Sequence, residues 1–380
     1  MYTLICIHLH LQLITVFNIF TMSNLFRISL LAFILISSPS YAQMPPVETN
    51  NILASTNEKV DLKILSWNIY MLEERFFIFT GQRQRAALIA ALLAKENYDV
   101  IVFEEAFNDK AREIIADGLA EKYPYQIGPL NNKKGLFKTS SGVWILSSVE
   151  LKTLKEIEYR DCAGFDCNAH KGAVMLEGAK DGHAFQIIGT HLQAFDGEKR
   201  ENIRIKQYQQ MRDELLVPFE RDDVPQFVCG DFNTIKKSKR YEPMLELLNA
   251  DDGELNTSLT YADINKDKNK KKLANEPCTA TANEPCTYAT NDYRVDTSNV
   301  EYNTTLDYIL CRQKLVKNKQ KPQITRRSKA FRTPWFFKGK HRKDLSDHYA
   351  VEADVNWSNP NPSEIPAPKP SSTQAPEPSK

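Results

Sequence analysis

The chain has 380 residues, with 49 Lys and Arg against 48 Asp and Glu and a formal net charge of +1. That balance argues against a protein built to coat nucleic acid, which carries a clear basic excess. A hydrophobic content of 42% is ordinary for a globular, enzyme-sized chain.

From Met22 the sequence runs MSNLFR, then ISLLAFILI, then SSPSYA before Gln43. A short basic start, an apolar core and a small-residue cleavage pattern read as a secretory signal peptide ending near Ala42, so a secreted protein is expected. The apolar run is short for a membrane span, although an N-terminal anchor helix is the rival reading. Residues 1–21 read as an upstream extension, 43–60 as a polar lead-in, 61–357 as one catalytic domain and 358–380 as a disordered Pro/Ser-rich tail.

The expected elements begin with a strand over 62–70, a helix over 84–96 with apolar residues at helical spacing, and a strand over 99–107. A second helix covers 110–123, followed by strand-like runs at 142–148, 172–178 and 185–195. A long helix over 198–219 ends near Pro218. Then come a strand at 227–233, a helix at 241–249, and strands at 306–312 and 348–355. Strands outnumber helices and often follow one another directly. The expected fold is α/β (α+β): two mixed, largely antiparallel sheets packed together with helices outside. Residues 251–300 read as a long polar loop, and their KDKNKKK run (266–272) as solvated.

Cys6 leaves with the leader, so six cysteines remain and the pairing is open. Local bridges suit Cys162 with Cys167, in a polar loop, and Cys278 with Cys286, in two copies of ANEPCT. Cys229 and Cys311 sit in apolar runs and read as buried small hydrophobes.

Polar residues interrupt the apolar runs at strand ends: Asn68, Glu105, His191, Asp231 with Asn233, Asp307, and Asp347 with His348. Singly, each is better read as a turn former or a satisfied polar residue. Side chains at the ends of strands sharing one sheet edge converge, however, and together these types supply metal ligands, a base and phosphate donors. Phosphodiester hydrolysis needs that combination: a cation against phosphoryl charge, a base for water, and donors to the transition state. Carboxylate and amide oxygens suit a hard ion such as Mg²⁺, and without clustered His and Cys a zinc site is not expected.

In order, Asn68 at a strand end, EEAF, GTHLQAF, GDFN, LDYIL and SDHYAV resemble the endonuclease/exonuclease/phosphatase superfamily, with its deoxyribonuclease I-like fold. The resemblance covers residues 62–355 and implies a four-layered sandwich and divalent-metal phosphoesterase activity. It implies Glu105 as main metal ligand with Asn68 beside it and Asp347 completing the acidic cluster. His348 resembles the general base, oriented by Asp307; Asp231 positions water, and Asn233 and His191 hold phosphoryl oxygens. The cofactor implied is Mg²⁺, with Mn²⁺ or Co²⁺ as substitutes.

Within that superfamily the chain is similar to the secreted bacterial neutral sphingomyelinases, through DCAGFDCNAHKG (161–172), THLQAFD (190–196) and PWFFKGKHRK (334–343). This implies substrate contacts from Lys171, Asp196 and Phe107. It also implies a hairpin whose Trp335, Phe336 and Phe337 enter a membrane surface, with Lys338, Lys340, Arg342 and Lys343 meeting lipid phosphates. The partner expected is sphingomyelin or a related phosphocholine lipid, met peripherally by a monomer, with no nucleic acid. The tandem ANEPCT segment and Tyr288-Ala289 depart from that branch. A secreted nuclease, an inositol-phosphate phosphatase and an inactive membrane-binding module are the alternatives.

Overall fold

The computed structural model describes residues 60–74, 80–133, 138–222, 224–236, 238–252, 254–255, 305–312 and 322–357. The leader, lead-in and tail, Cys278 and Cys286, and most of the polar loop after residue 251 lie outside the described residues.

Fourteen strands are described: β1 (Val60–Met71), β2 (Val100–Ala106), β3 (Tyr125–Ile127), β4 (Trp144–Ser147), β5 (Leu151–Glu158), β6 (Gly172–Lys180), β7 (His183–His191), β8 (Gln226–Asp231), β9 (Glu254–Leu255), β10 (Asp307–Arg312), β11 (Gln323–Lys329), β12 (Arg332–Phe337), β13 (Lys340–Asp344) and β14 (Ala350–Trp357). The helices are α1 (Gln82–Leu93), α2 (Asp109–Leu119), α3 (Glu198–Met211) and α4 (Tyr241–Leu248).

One sheet has the order β3-β4-β2-β1-β14-β11-β9, a second β10-β8-β7-β6-β5, and β12 with β13 forms a separate hairpin. Only β1/β2, β9/β11 and β7/β8 run parallel; the other pairs are antiparallel. The expected sandwich of two mixed, largely antiparallel sheets with outer helices is what forms. No described helix is long and apolar enough to cross a membrane.

Strand alternation sorts each strand between two environments. Even residues of β1 and β2 (Leu62, Ile64, Val100, Val102) meet odd residues of β8 and β10 (Phe227, Cys229, Ile309, Cys311) in the core between the sheets. The opposite faces carry helices. Ala86, Ile89, Ala90 and Leu93 of α1 and Ala111, Ile115 and Leu119 of α2 cover the larger sheet. Tyr208 and Met211 of α3 with Met244 and Leu248 of α4 cover the smaller one.

α2 starts where Asn108 Oδ1 accepts from Ala111 N at 2.8 Å, a side-chain N-cap. Gly118 lets α2 approach α1, since a Cβ there would lie 2.8 Å from the Ala90 methyl. α3 leaves α geometry earlier than expected, continuing as a π turn over Arg212–Leu216 before Pro218. β5 and β11, with β3 and β9, are strands the sequence pattern did not show.

A buried arginine ties these layers together. Arg85 of α1 is fully buried and donates to the carbonyls of Ile69 (2.9 Å), Leu345 (2.6 Å), Thr80 (2.8 Å) and Tyr70. It therefore fastens the end of β1 to the segment that leads into Asp347 and His348. Removing it strands buried carbonyls, so Arg85→Ala is expected to cost about 3 kcal/mol in chemical denaturation. A loss below about 1 kcal/mol would show the carbonyls to be satisfied otherwise.

Candidate active site

The alternation that builds the inter-sheet core continues past its apolar part. Ser66 and Asn68 extend the inner face of β1, Glu104 that of β2, His191 that of β7 and Asp231 that of β8, while Asp307 starts that of β10. β1 runs parallel to β2 and β7 to β8, so these termini share one end of the sandwich. Asp307 pairs in register with Asp231, and His191 with Asp231, which fixes the triplet across three strands.

His348 stands at the centre. Its Nδ1 lies 2.9 Å from Asp307 Oδ2, and its Nε2 faces Asp231 Oδ2 at 3.9 Å. The backbone around it is pinned: Trp67 Nε1 donates to the His348 carbonyl at 2.9 Å, and Ser346 Oγ donates to the Asn68 carbonyl at 2.6 Å. Burial alone would lower the His348 pKa, but Asp307, Asp231 and Asp347 hold it well above the ordinary imidazole value. The carboxylate on Nδ1 fixes the tautomer and leaves Nε2 for proton transfer.

His191 moves the other way. Burial first, then Lys171 and His348, depress its pKa well below the ordinary value. Lys171 Nζ lies 3.1 Å from His191 Nε2, donates to the Leu192 carbonyl at 2.7 Å and pairs with Asp166 at 3.0 Å. An ammonium only donates, so Nε2 accepts and the ring proton sits on Nδ1, a buried atom with no hydrogen-bond partner. Asn233, held at φ 49°, accepts nothing from Asp231 but gives its N–H to Asp231 Oδ1 at 2.9 Å. Its side-chain amide donates to the Leu192 carbonyl at 3.2 Å.

Asn68 Nδ2 donates to Asp231 Oδ2 at 3.0 Å, and Asn68 also hydrogen-bonds Glu105. Glu105 has φ 53°, so the chain turns out of strand geometry there. Its Oε2 is buried without a hydrogen-bond partner, and burial followed by repulsion from Asp347 pushes its pKa up to about 7. Two neighbouring carboxylates, one with an orphan oxygen, form a hard-donor set that fits a divalent cation such as Mg²⁺, while the Asn68 Oδ1 accepts from Tyr70 N at 3.1 Å. Glu105 and Asp347 would hold the cation, with Asn68 beside them orienting Glu105. Oxygens of Asp231 and Asp307 and a nitrogen of His348 also come within 4.8 Å of one another. The Asp307 bond to Nδ1 makes that second group a base with its orienting acid rather than a ligand set.

Glu104, next to Glu105 in EEAF and absent from the predicted site, is fully buried and accepts from Ser66 Oγ at 2.9 Å. Burial, then the charges of Asp307 and Asp231, raise its pKa well above the carboxylate range. Its signal was parity, because it follows Val100 and Val102 on the inner face of β2. Asp166 was likewise not foreseen. It lies in the short turn Gly164–Asn168 inside the Cys162–Cys167 disulfide, and orders Lys171 and Gln193. Behind it lies a polar cavity of about 200 Å³ lined by Lys171, His170, Asp166, Arg160 and Gln207.

Other assignments fall elsewhere. Asp196 is exposed in the loop after β7, where its carbonyl accepts from Arg200 at 3.0 Å, outside the buried cluster. Phe107 is buried against Gly142, where a Cβ would meet its ring at 2.7 Å, so it is placed as packing.

The aromatic stretch is a hairpin, turning at Lys338-Gly339, but its three aromatics are not equivalent. Trp335 is only 5% exposed, stacks under Arg342 at 5.6 Å and donates from Nε1 to the Asp344 carbonyl at 3.1 Å. This corrects the expectation of an exposed tryptophan, and Arg342, buried with it, is withdrawn from the surface too. Phe337 is half-buried against Trp335, and Phe336 is exposed beside His341. Strand alternation places Phe336 opposite its two neighbours. Cys229 and Cys311 are buried, as expected.

Comparison with known proteins agrees with this geometry. Residues 65–348 match the sequence profile of the Endonuclease/Exonuclease/phosphatase family. The chain is 34% identical over 223 residues to Sphingomyelinase C 2 of Leptospira interrogans, covering 54% of this chain and 36% of that protein. It thus spans little more than a third of that relative's length. It is 28% identical over 331 residues to Sphingomyelinase C of Bacillus cereus, covering 80% and 91% of the two chains. Its fold is similar to that of Staphylococcus aureus beta toxin with bound magnesium ions: TM-score 0.61, 25% identity, 79% of this chain and 100% of that one. With the inter-sheet cluster at the place this profile ends, the chain belongs to the Endonuclease/Exonuclease/phosphatase family.

Proposed function

We propose that the protein is a secreted, Mg²⁺-dependent sphingomyelin phosphodiesterase of the phospholipase C type, yielding ceramide and phosphocholine. The observation that carries the reaction class is the His348–Asp307 pair, Nδ1 to Oδ2 at 2.9 Å, beside the orphan carboxylate oxygen of Glu105. The resemblance to proteins named sphingomyelinase C supports the substrate.

A divalent cation at Glu105 and Asp347, beside Asn68, would supply positive charge against the phosphoryl and leaving oxygens. His348 Nε2 takes a proton from water as its oxygen bonds to phosphorus, while Asp307 stabilises the imidazolium formed. Asp231, facing Nε2, orients that water. His191 and Asn233 stabilise charge on the phosphoryl oxygens, and burial together with Lys171 keeps His191 neutral. The bond from phosphorus to the ceramide oxygen breaks, that oxygen takes a proton from solvent to leave as the alcohol, and His348 returns its proton to solvent. The hairpin, immediately before Leu345–His348, would meet the bilayer through Phe336, Lys338 and Lys340 as a peripheral contact by a monomer.

The test sets substrate classes side by side. Sphingomyelin vesicles and plasmid DNA are incubated separately with the protein and Mg²⁺. Phosphocholine release with intact plasmid is expected; nicked plasmid with untouched lipid would replace this reading with a nuclease.

A further inference from the structure

Two phenylalanines that neither the site nor the hairpin uses are among the most exposed apolar residues described. Phe165 is 86% exposed and Phe195 is 61% exposed. They lie on different loops, one before β6 and one after β7, and the structure holds those loops together. The Asp166 carboxylate accepts from Ala194 N and Gln193 Nε2, linking the residues next to each phenylalanine. Arg200 packs over the Phe195 ring at 5.7 Å, and its guanidinium would lie 3.8 Å from a Cβ at Gly164, beside Phe165.

Both rings are presented rather than tolerated. Phe165 sits on a turn closed by Cys162–Cys167. Phe195 holds φ 68°, a region costly for a bulky side chain. A solvent-exposed phenyl on a strained backbone gains little within the chain beyond the Arg200 contact, so its return lies in a partner. The same Asp166 orders Lys171, which touches His191, so these rings stand at the rim of the site. They belong to loops of the smaller sheet, while Phe336 precedes the site from the side of the larger sheet.

We infer that Phe165 and Phe195 form a second aromatic lip that enters the interface of a zwitterionic phosphocholine bilayer, across the catalytic opening from the hairpin. This rests on the proposed lipid substrate. The charges beside the rings are mixed, with exposed Asp196 and Glu198 next to Lys199 and Arg200, which suits a net-neutral headgroup layer rather than an anionic surface. Aromatic rings partition to that depth without a basic patch. Two lips would seat the opening flat on the membrane.

The test uses the full chain and two double variants, Phe165→Ala/Phe195→Ala and Phe165→Ser/Phe195→Asn; Asn adopts the left-handed backbone readily and guards against misfolding. Co-sedimentation with sphingomyelin–phosphatidylcholine vesicles in EDTA reads binding without turnover, and both variants are expected to bind about tenfold more weakly than wild type. The ratio of phosphocholine release from vesicles to release from detergent-dispersed sphingomyelin should fall about tenfold as well. Equal binding by wild type and both variants, or no binding by wild type, overturns the lip. Wild type that binds through these rings but releases no phosphocholine from either dispersion retains the lip and overturns the proposed reaction.

Discussion

His348→Ala is expected to lower kcat by about 10³-fold or more with the fold intact, because no other described side chain offers a base oriented by a carboxylate at this centre. The charges of Asp307, Asp231 and Asp347 hold the His348 proton well above the ordinary value of 6.5. A base must be neutral to act, so the rate rises as pH rises through the raised pKa. Asp307→Asn removes the nearest charge that retains the proton. It is therefore expected to move that limb to lower pH while reducing the plateau by about 10²-fold, since Nδ1 loses its orienting acceptor. A purely structural role for Asp307 would change the plateau and leave the limb in place. Steady-state rates across pH for both variants make the distinction.

The second large effect concerns Glu105. Its pKa is pushed up to about 7 by burial and by Asp347, and its Oε2 has no protein partner. Cation binding requires the ionised carboxylate, so Mg²⁺ affinity is expected to fall about tenfold for each pH unit below that value. Without metal, a carboxyl with a raised folded-state pKa contributes stability below its ordinary value of 4.5 and loses it as pH rises through about 7. Glu105→Gln should therefore weaken Mg²⁺ binding and lower activity about 10²-fold while raising, not lowering, the thermal midpoint of the metal-free protein. Calorimetric Mg²⁺ titration and thermal melts in EDTA check both signs. A lowered metal-free midpoint would mean that Glu105 is held by contacts other than the cation.

Much of this was legible because strand alternation and chemistry coincide. Asn68, His191, Asp231 and Asp307 occupy inward positions of their strands, so apolar runs ending in polar residues marked both the sheet end and the site. The strands that escaped notice are those whose apolar face is sparse. β5 is an edge strand with Lys and Glu outward, and β11 buries Arg326 against Asp252 where a hydrophobic residue would have signalled it. Asp166 was hidden because its role arises from a loop folding back onto Lys171 and Gln193, a long-range contact with no local periodicity. The aromatic run Trp335-Phe336-Phe337 announced a hairpin correctly, but composition did not say which rings face inward; Gly81 and Arg342 close over Trp335.

The most direct measurement is phosphocholine release from sphingomyelin vesicles by the full chain, first after EDTA treatment and then after adding back Mg²⁺. Release should cease in EDTA and return with Mg²⁺ for wild type, and fail to return at the same Mg²⁺ concentration for Glu105→Gln. Release that continues in EDTA, or that returns equally in Glu105→Gln, would contradict a reaction built on the Glu105 carboxylate and the His348–Asp307 pair.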